Sequence, residues 1–206
     1  MAFCFHNSFN LFYICYMDLP VKDNQTYNNQ DFSTNLLPKA EYSYCTFVNC
    51  NFENSDISNN VFLECEFHDC NFSNVNLKHT TFNDVLFKDC KLVGVNFRDC
   101  NDFLMAFSFV ECNLNLSSFS EMTINKTQFS TCKMHQVDLS YTEAKSCHFD
   151  NCDLKNAIFD NSNLEGADLS SAFNFEIDPS SNHLKSAIFS KDNLIGLLKP
   201  FRIKVK

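Results

Sequence analysis

A large apolar residue recurs at every fifth position through most of this chain. From Phe32 the series runs Leu37, Tyr42, Phe47, Phe52, Ile57, Phe62, Phe67, Phe72, Leu77, Phe82, Phe87, Leu92 and Phe97. The next step lands on Asp102, and the series stops. It resumes at Phe109 and passes through Leu114, Phe119, Ile124, Phe129, Met134, Leu139, Ala144, Phe149, Leu154, Phe159 and Leu164 to Leu169, with Ala144 the one small member. The two runs differ in phase by two residues, so a two-residue insertion is expected in the segment 98–108. A helix repeats at 3.6 residues and a strand at 2, and neither gives a period of five. A chain with this period must turn a corner in each repeat and send one large side chain into a common interior.

The position two before each large residue is restricted as well. It reads Cys45, Cys50, Ser55, Cys65, Cys70, Val75, Thr80, Val85, Cys90 and Val95 in the first run. In the second it reads Cys112, Ser117, Thr127, Cys132, Val137, Thr142, Cys147, Cys152, Ala157, Ser162 and Ala167. Asn60 and Met122 depart from this rule. The other three positions are mostly Asn, Ser, Asp, Glu and Lys and should face water. With only 3 Gly and 4 Pro in 206 residues, the turns cannot rest on the usual turn formers; Asn, Ser and Asp are expected to take their place.

Ala157-Ile158-Phe159, Ser162-Asn163-Leu164 and Ala167-Asp168-Leu169 follow the pattern A(D/N)LXX, and over about residues 32–171 the chain resembles the pentapeptide-repeat family. The resemblance implies an all-β fold, a right-handed quadrilateral parallel β-helix with four pentapeptides to each square coil. Twenty-seven repeats would form nearly seven coils, a rod of about 32 Å at a strand spacing of ~4.8 Å. Such a solenoid needs capped ends. The organisation expected is an N-terminal extension over 1–31, a first run of repeats over 32–97, a register break over 98–108, a second run over 109–171, and a C-terminal cap over 172–206 with a short α-helix at about 190–199 and a tail.

Ten of the 12 cysteines occupy the small inward position (Cys45, Cys50, Cys65, Cys70, Cys90, Cys100, Cys112, Cys132, Cys147 and Cys152), where a free thiol packs as a small hydrophobe. Stacked parallel side chains point the wrong way for a disulfide, and a zinc site needs converging ligands. So many free thiols point to a reducing cytoplasm. His68, His79, His135 and His148 fall at outward positions without metal-like spacing or a matched nucleophile. There is no Gly-rich phosphate loop and no motif that carries a mechanism, and a filled rod offers no pocket. No cofactor, no metal and no enzymatic activity are expected.

The formal net charge is −9, which disfavours direct binding to nucleic acid, since that needs Lys and Arg against phosphate. Residues 31–171 carry 20 acids against 9 bases, whereas residues 172–206 carry 3 acids against 6 bases. Glu64, Asp69, Asp84, Asp89, Asp99, Glu111 and Glu121 all stand two after a large residue, pointing outward. With 20 residues per coil, Glu64 should stack with Asp84 and Asp69 with Asp89. Like charges adjacent in a ladder are mildly destabilising. Two readings stand: a solvated face interspersed with Lys78, Lys88 and Lys91, or an acidic strip that attracts a basic partner groove.

No stretch reaches the roughly 18 apolar residues of a membrane-spanning helix, so no membrane contact is expected. The opening MAFCFHNSFNLFYICY is apolar and aromatic but lacks the marks of a secretory signal. Met17 is the expected natural start, with residues 1–16 an upstream extension; a place in the folded core is the alternative. After Leu169 the repeat fades. Ser190 suits a helix N-cap. Leu194, Ile195, Leu197 and Leu198 form a short apolar helix ended before Pro200, and Phe201 to Val205 alternates as a strand does. An apolar helix at a rod end caps the core or pairs with a copy of itself.

Asp178-Pro179, the turn Lys185–Phe189, Gly196-Leu197-Leu198 and the interrupted register from Cys100 to Cys112 are similar to the quinolone-resistance (Qnr-like) members of the family. That resemblance implies a non-catalytic rod, dimeric through its C-terminal helix, that binds the type II topoisomerases DNA gyrase or topoisomerase IV as a DNA mimic. It would then protect them from fluoroquinolones or modulate them. The alternative is a structural or scaffold interaction module with an unrelated partner.

Overall fold

A computed structural model describes residues 19–203. Met17, the 1–16 extension and residues 204–206 lie outside the described residues. The chain winds into a right-handed β-solenoid of parallel strands. One face is a four-stranded sheet of β1 (Val21–Asp23), β3 (Glu41–Ser43), β5 (Val61–Leu63) and β7 (Thr81–Asn83), in that order. The adjoining face is a nine-stranded sheet that runs the length of the rod. It comprises β2 (Thr26–Asn28), β4 (Thr46–Val48), β6 (Glu66–His68), β8 (Val85–Lys88), β9 (Phe107–Val110), β10 (Gln128–Ser130), β11 (His148–Asp150), β12 (Asp168–Leu169) and β13 (Ile188–Phe189). The other two faces are held by single bridges, such as Asn51 to Asn71 and Ser118 to Asp138.

Pairing partners are 20 residues apart, as in Phe47 with Phe67 and Phe129 with Phe149. The step from β8 to β9 is 22, with Phe87 opposite Phe109. Nine strands on one face make about eight turns, more than the nearly seven expected. The difference arises at both ends. At the start, Lys22 pairs with Tyr42 and Tyr27 with Phe47, so coils begin ten residues before Phe32. Lys22 occupies a centre position without being apolar, which hides that coil from a hydrophobic pattern. At the far end, Asp168 and Leu169 pair with Ile188 and Phe189.

The interior is a set of aromatic ladders. Tyr27, Phe47, Phe67, Phe87, Phe109, Phe129 and Phe149 stack in one column, with centroids 4.7–5.2 Å apart and ring planes within 15°. Neighbouring columns meet edge to face, as Phe47 does with Phe62 at 6.0 Å and 76°. Rings held at the strand spacing combine offset stacking in a column with edge-to-face contact between columns, both favoured by the ring quadrupole. The period of five is therefore the means by which parallel coils place ring above ring.

The inward small position does more than fill space. The thiols of Cys70, Cys90 and Cys112 donate to the carbonyls of Phe47, Phe67 and Phe87 one coil below, at 3.3–3.5 Å. Thr80, Thr142 and Ser162 donate to Ile57, Phe119 and Leu139 in the same way at 2.7–2.9 Å. A buried carbonyl has two lone pairs, and a short side-chain donor uses the second one. The ten described cysteines are free thiols, and burial pushes Cys65 and Cys147 up to about 12, the direction expected when the thiolate must form away from water. Asn60 departs from the small rule because it serves the coil below. Its Oδ1 accepts from the Ala40 backbone N–H at 2.9 Å and its amide donates to the Ile57 carbonyl at 3.1 Å.

The corners explain the near absence of glycine. The residue two after most centres adopts a left-handed conformation, among them Tyr44 (φ 53°), Glu64, Asp69, Asp84, Asp89, Glu111, Glu121, Lys126, Thr131 and Asn161, whereas Asp99 ends a 3-10 turn, Phe97–Asp99, instead. Asn and Asp tolerate this region best among non-glycine residues, and Asn holds many of these corners. Others hold Leu116, Gln136, Tyr141 and Ser146, so the turn vocabulary is wider than Asn, Ser and Asp.

At the break, Asn101 still pairs with Thr81, and the Ala106 N–H binds the Phe82 carbonyl at 2.9 Å. Asp102–Met105 bulges between them. Asp102 is exposed, and so leaves a centre vacant. Phe107, in register with the small residue Val85, turns inward and lies 5.1–6.0 Å from the rings of Phe97, Phe109 and Phe119.

The C-terminal cap differs from the expectation in two ways. Ser190 Oγ accepts from the Asn193 N–H at 3.2 Å, as an N-cap would. Yet residues 191–194 form turns, and the regular α-helix, α1, spans only Ile195–Leu198, followed by a 3-10 turn over Lys199–Phe201. Four residues cannot hold a helix by propensity. Packing holds it: Gly196 lies so close to Phe175 that a Cβ would meet its backbone oxygen at 2.5 Å. The expected strand from Phe201 does not form over residues 201–203, because Arg202 is left-handed at φ 53°.

Candidate protein-interaction surface

The seven outward acids are all exposed, and the coil sorts them by corner. Glu64 and Asp84 stand on the edge between the two sheets, beyond Tyr44, whose phenol donates to Glu64 Oε1 at 3.0 Å. That hydrogen bond to a carboxylate is the main reason the Tyr44 pKa is raised. Asp69, Asp89 and Glu111 occupy the opposite edge of the nine-stranded sheet on three successive coils. Asp99 and Glu121 lie on a different edge, where Glu121 is paired with Arg98 at 2.7 Å. Five of the seven therefore border one face, and two do not.

That face carries acids that spacing alone missed, Asp150 on β11 and Asp168 on β12 further along the rod and Glu66 beside the acidic edges. Glu66 lies on β6 between the two edges, exposed, with the His68 ring 2.8 Å from its carboxylate. Its position one before a centre was the available signal. Glu64, Glu66, Asp69, Asp84, Asp89 and Glu111 thus share this face of three consecutive coils with one cation, Lys88. At ~4.8 Å per coil this is about one net negative charge per 3 Å of axis. A single DNA strand carries one per about 3.4 Å.

The backbone accounts for part of this. Asp69, Asp84 and Asp89 sit at left-handed corners that Asp tolerates. Glu64 and Glu111 occupy the same kind of corner with no such preference, so conformation does not account for their charge.

The cavities are shallow. One of about 240 Å³ lies over Ser130, His148, Asp150 and Asp168 on the nine-stranded sheet, and one of about 430 Å³ lies beside the bulge, lined by Asp84, Met105 and Lys126. Among the described residues no group of three or more His, Cys, Asp or Glu side chains is arranged to hold a metal. No helix among them is long and apolar enough to cross a membrane. At the rod's end, Leu194 and Ile195 are each 42% exposed, while Leu197 packs against the core and Leu198 is half-buried.

Family models agree with the architecture. A model of a pentapeptide repeat region matches residues 40–107, and one of eight pentapeptide-repeat copies matches residues 147–175. A sequence search of curated proteins returns no match. Among solved structures, the chain is similar to two trypsin-treated variants of QnrB1, a plasmid-mediated fluoroquinolone resistance protein. The first aligns at 15% identity with a TM-score of 0.72, covering 90% of this chain and 91% of that one. The second aligns at 14% with a TM-score of 0.61, covering 91% and 98%. At such identity the likeness speaks for the fold. With its five-residue period, square coils and inward Phe ladders, the chain belongs to the pentapeptide-repeat family.

Proposed function

We propose that the protein is a non-catalytic DNA mimic that offers its acidic face to the DNA-binding surface of DNA gyrase or topoisomerase IV, and so protects the enzyme from fluoroquinolones or modulates it. The observation that carries this reading is the double edge of acids around the nine-stranded sheet, with a charge per length close to that of a nucleic acid strand. The shared fold with a fluoroquinolone resistance protein supports it. The exposed Leu194 and Ile195, with Leu197 and Leu198 beneath them, support a homodimer through the C-terminal helix. The buried free thiols favour a cytoplasmic setting.

The test is gyrase supercoiling with and without a fluoroquinolone at micromolar protein. The drug's inhibition curve should shift. The combined change Glu64→Lys, Asp69→Lys, Asp84→Lys and Asp89→Lys should abolish the shift. The fold should tolerate it, because Lys126 already occupies a left-handed corner. Wild-type protein without effect on either enzyme would refute the reading, and capture of another protein unaffected by the charge reversals would favour a scaffold role.

A further inference from the structure

Along their edge, Glu64 and Asp84 are flanked on both sides by apolar side chains. One coil before Glu64 stands Tyr44, 57% exposed at φ 53°. One coil beyond Asp84 the chain leaves the four-stranded face as the bulge Asp102–Met105. There Phe103 and Leu104 are each 64% exposed, and Leu104 has φ 55°. Exposing Phe103 and Leu104 gains nothing for folding, and the ring of Tyr44 adds only the phenol's hydrogen bond to Glu64, while Tyr44 and Leu104 also occupy a backbone region that Asn or Gly would fill at less cost. Leu116 is exposed at a left-handed position too, on an edge without acids, and Tyr141 stands one coil beyond Asp99 and Glu121, where Arg98 pairs with Glu121 at 2.7 Å and the exposed His79, not an apolar side chain, lies on the far side. Strain kept at an exposed position points to a role outside folding.

We propose that Tyr44 and the pair Phe103–Leu104 are apolar anchors bracketing Glu64 and Asp84. The partner site they fit is a protein surface with cationic side chains between two apolar pockets about three coils, ~14 Å, apart. This rests on the reading that the acidic face meets a basic protein surface, and it adds what nucleic acid lacks. DNA offers that surface charge but no apolar bracket, so the protein's affinity has a component that salt does not screen.

The experiment measures binding of the full chain to purified DNA gyrase across a salt series. Tyr44→Asn with Phe103→Ser and Leu104→Asn should weaken binding at least tenfold, leave the salt slope unchanged and hold or raise the thermal midpoint, since Asn suits both corners. Tyr44→Asn alone should weaken it several-fold. Glu64→Lys with Asp84→Lys should instead flatten the salt slope. If both apolar variants bind within twofold of wild type while the charge reversals abolish binding, the brackets are refuted and the acidic reading stands. If wild-type protein does not bind gyrase, both fall.

Discussion

Ser117 is the sharpest test of how the small inward position works. It is 1% exposed, and its hydroxyl is the one buried side-chain polar atom among the described residues without a hydrogen-bond partner. Its column neighbours, one coil either way, are Val95 and Val137, which offer nothing. Ser162, at the same kind of position and 2% exposed, donates to the Leu139 carbonyl at 2.7 Å. An unsatisfied buried hydroxyl costs about 1–3 kcal/mol, whereas a typical made hydrogen bond contributes about 1 kcal/mol net. Ser117→Ala removes the orphaned group at the loss of a single atom's contacts, so it should stabilise by about 1 kcal/mol. Ser162→Ala should destabilise by about the same amount. For a chain of this size each corresponds to roughly 2–4 °C in the midpoint. Urea unfolding followed by circular dichroism reads both, with an unchanged m-value indicating the same transition. If Ser117→Ala loses as much stability as Ser162→Ala, Ser117 is bonded in solution and the reasoning fails.

Gly196→Ala should undock α1, because its Cβ would meet the Phe175 backbone oxygen at 2.5 Å and the ring at 2.6 Å. Limited proteolysis should then cleave near residues 190–200 while the coils resist, and an unchanged digest would refute the close approach. Acid should weaken the rod in a defined window. Hydrogen bonds from Ser58 and Ser170 are the main reason Asp56 and Asp168 titrate below their ordinary value of 3.8. A carboxyl with a depressed folded pKa adds stability above its ordinary value and loses it as pH falls through the folded one. Stability should therefore drop below about pH 4, and Asp56→Asn should shrink the drop between pH 5 and 2.5; an equal drop in that variant would refute the assignment.

The period of five was sufficient to show that the chain turns a corner in each repeat; the four repeats to a coil came from the resemblance, and pairing 20 residues apart, as of Phe47 with Phe67, bears them out. The period also placed the cysteines inward. Other features depend on neighbours a coil away, which no local pattern contains. Lys22 takes a centre because β1 pairs with β3. Phe107 fills the core because Asp102 vacates it. Asn60 is buried because Ala40 needs an acceptor. The acids show the same division. The sequence by itself determined that they point outward and stack at intervals of one coil. The tertiary structure alone decided which of them share a face, that Glu66 joins them, that Arg98 neutralises Glu121, and that Tyr44 and the Phe103–Leu104 bulge flank Glu64 and Asp84 on the edge between the sheets. Position along the chain sets direction within a repeat, whereas closure of the coil sets which repeats become neighbours.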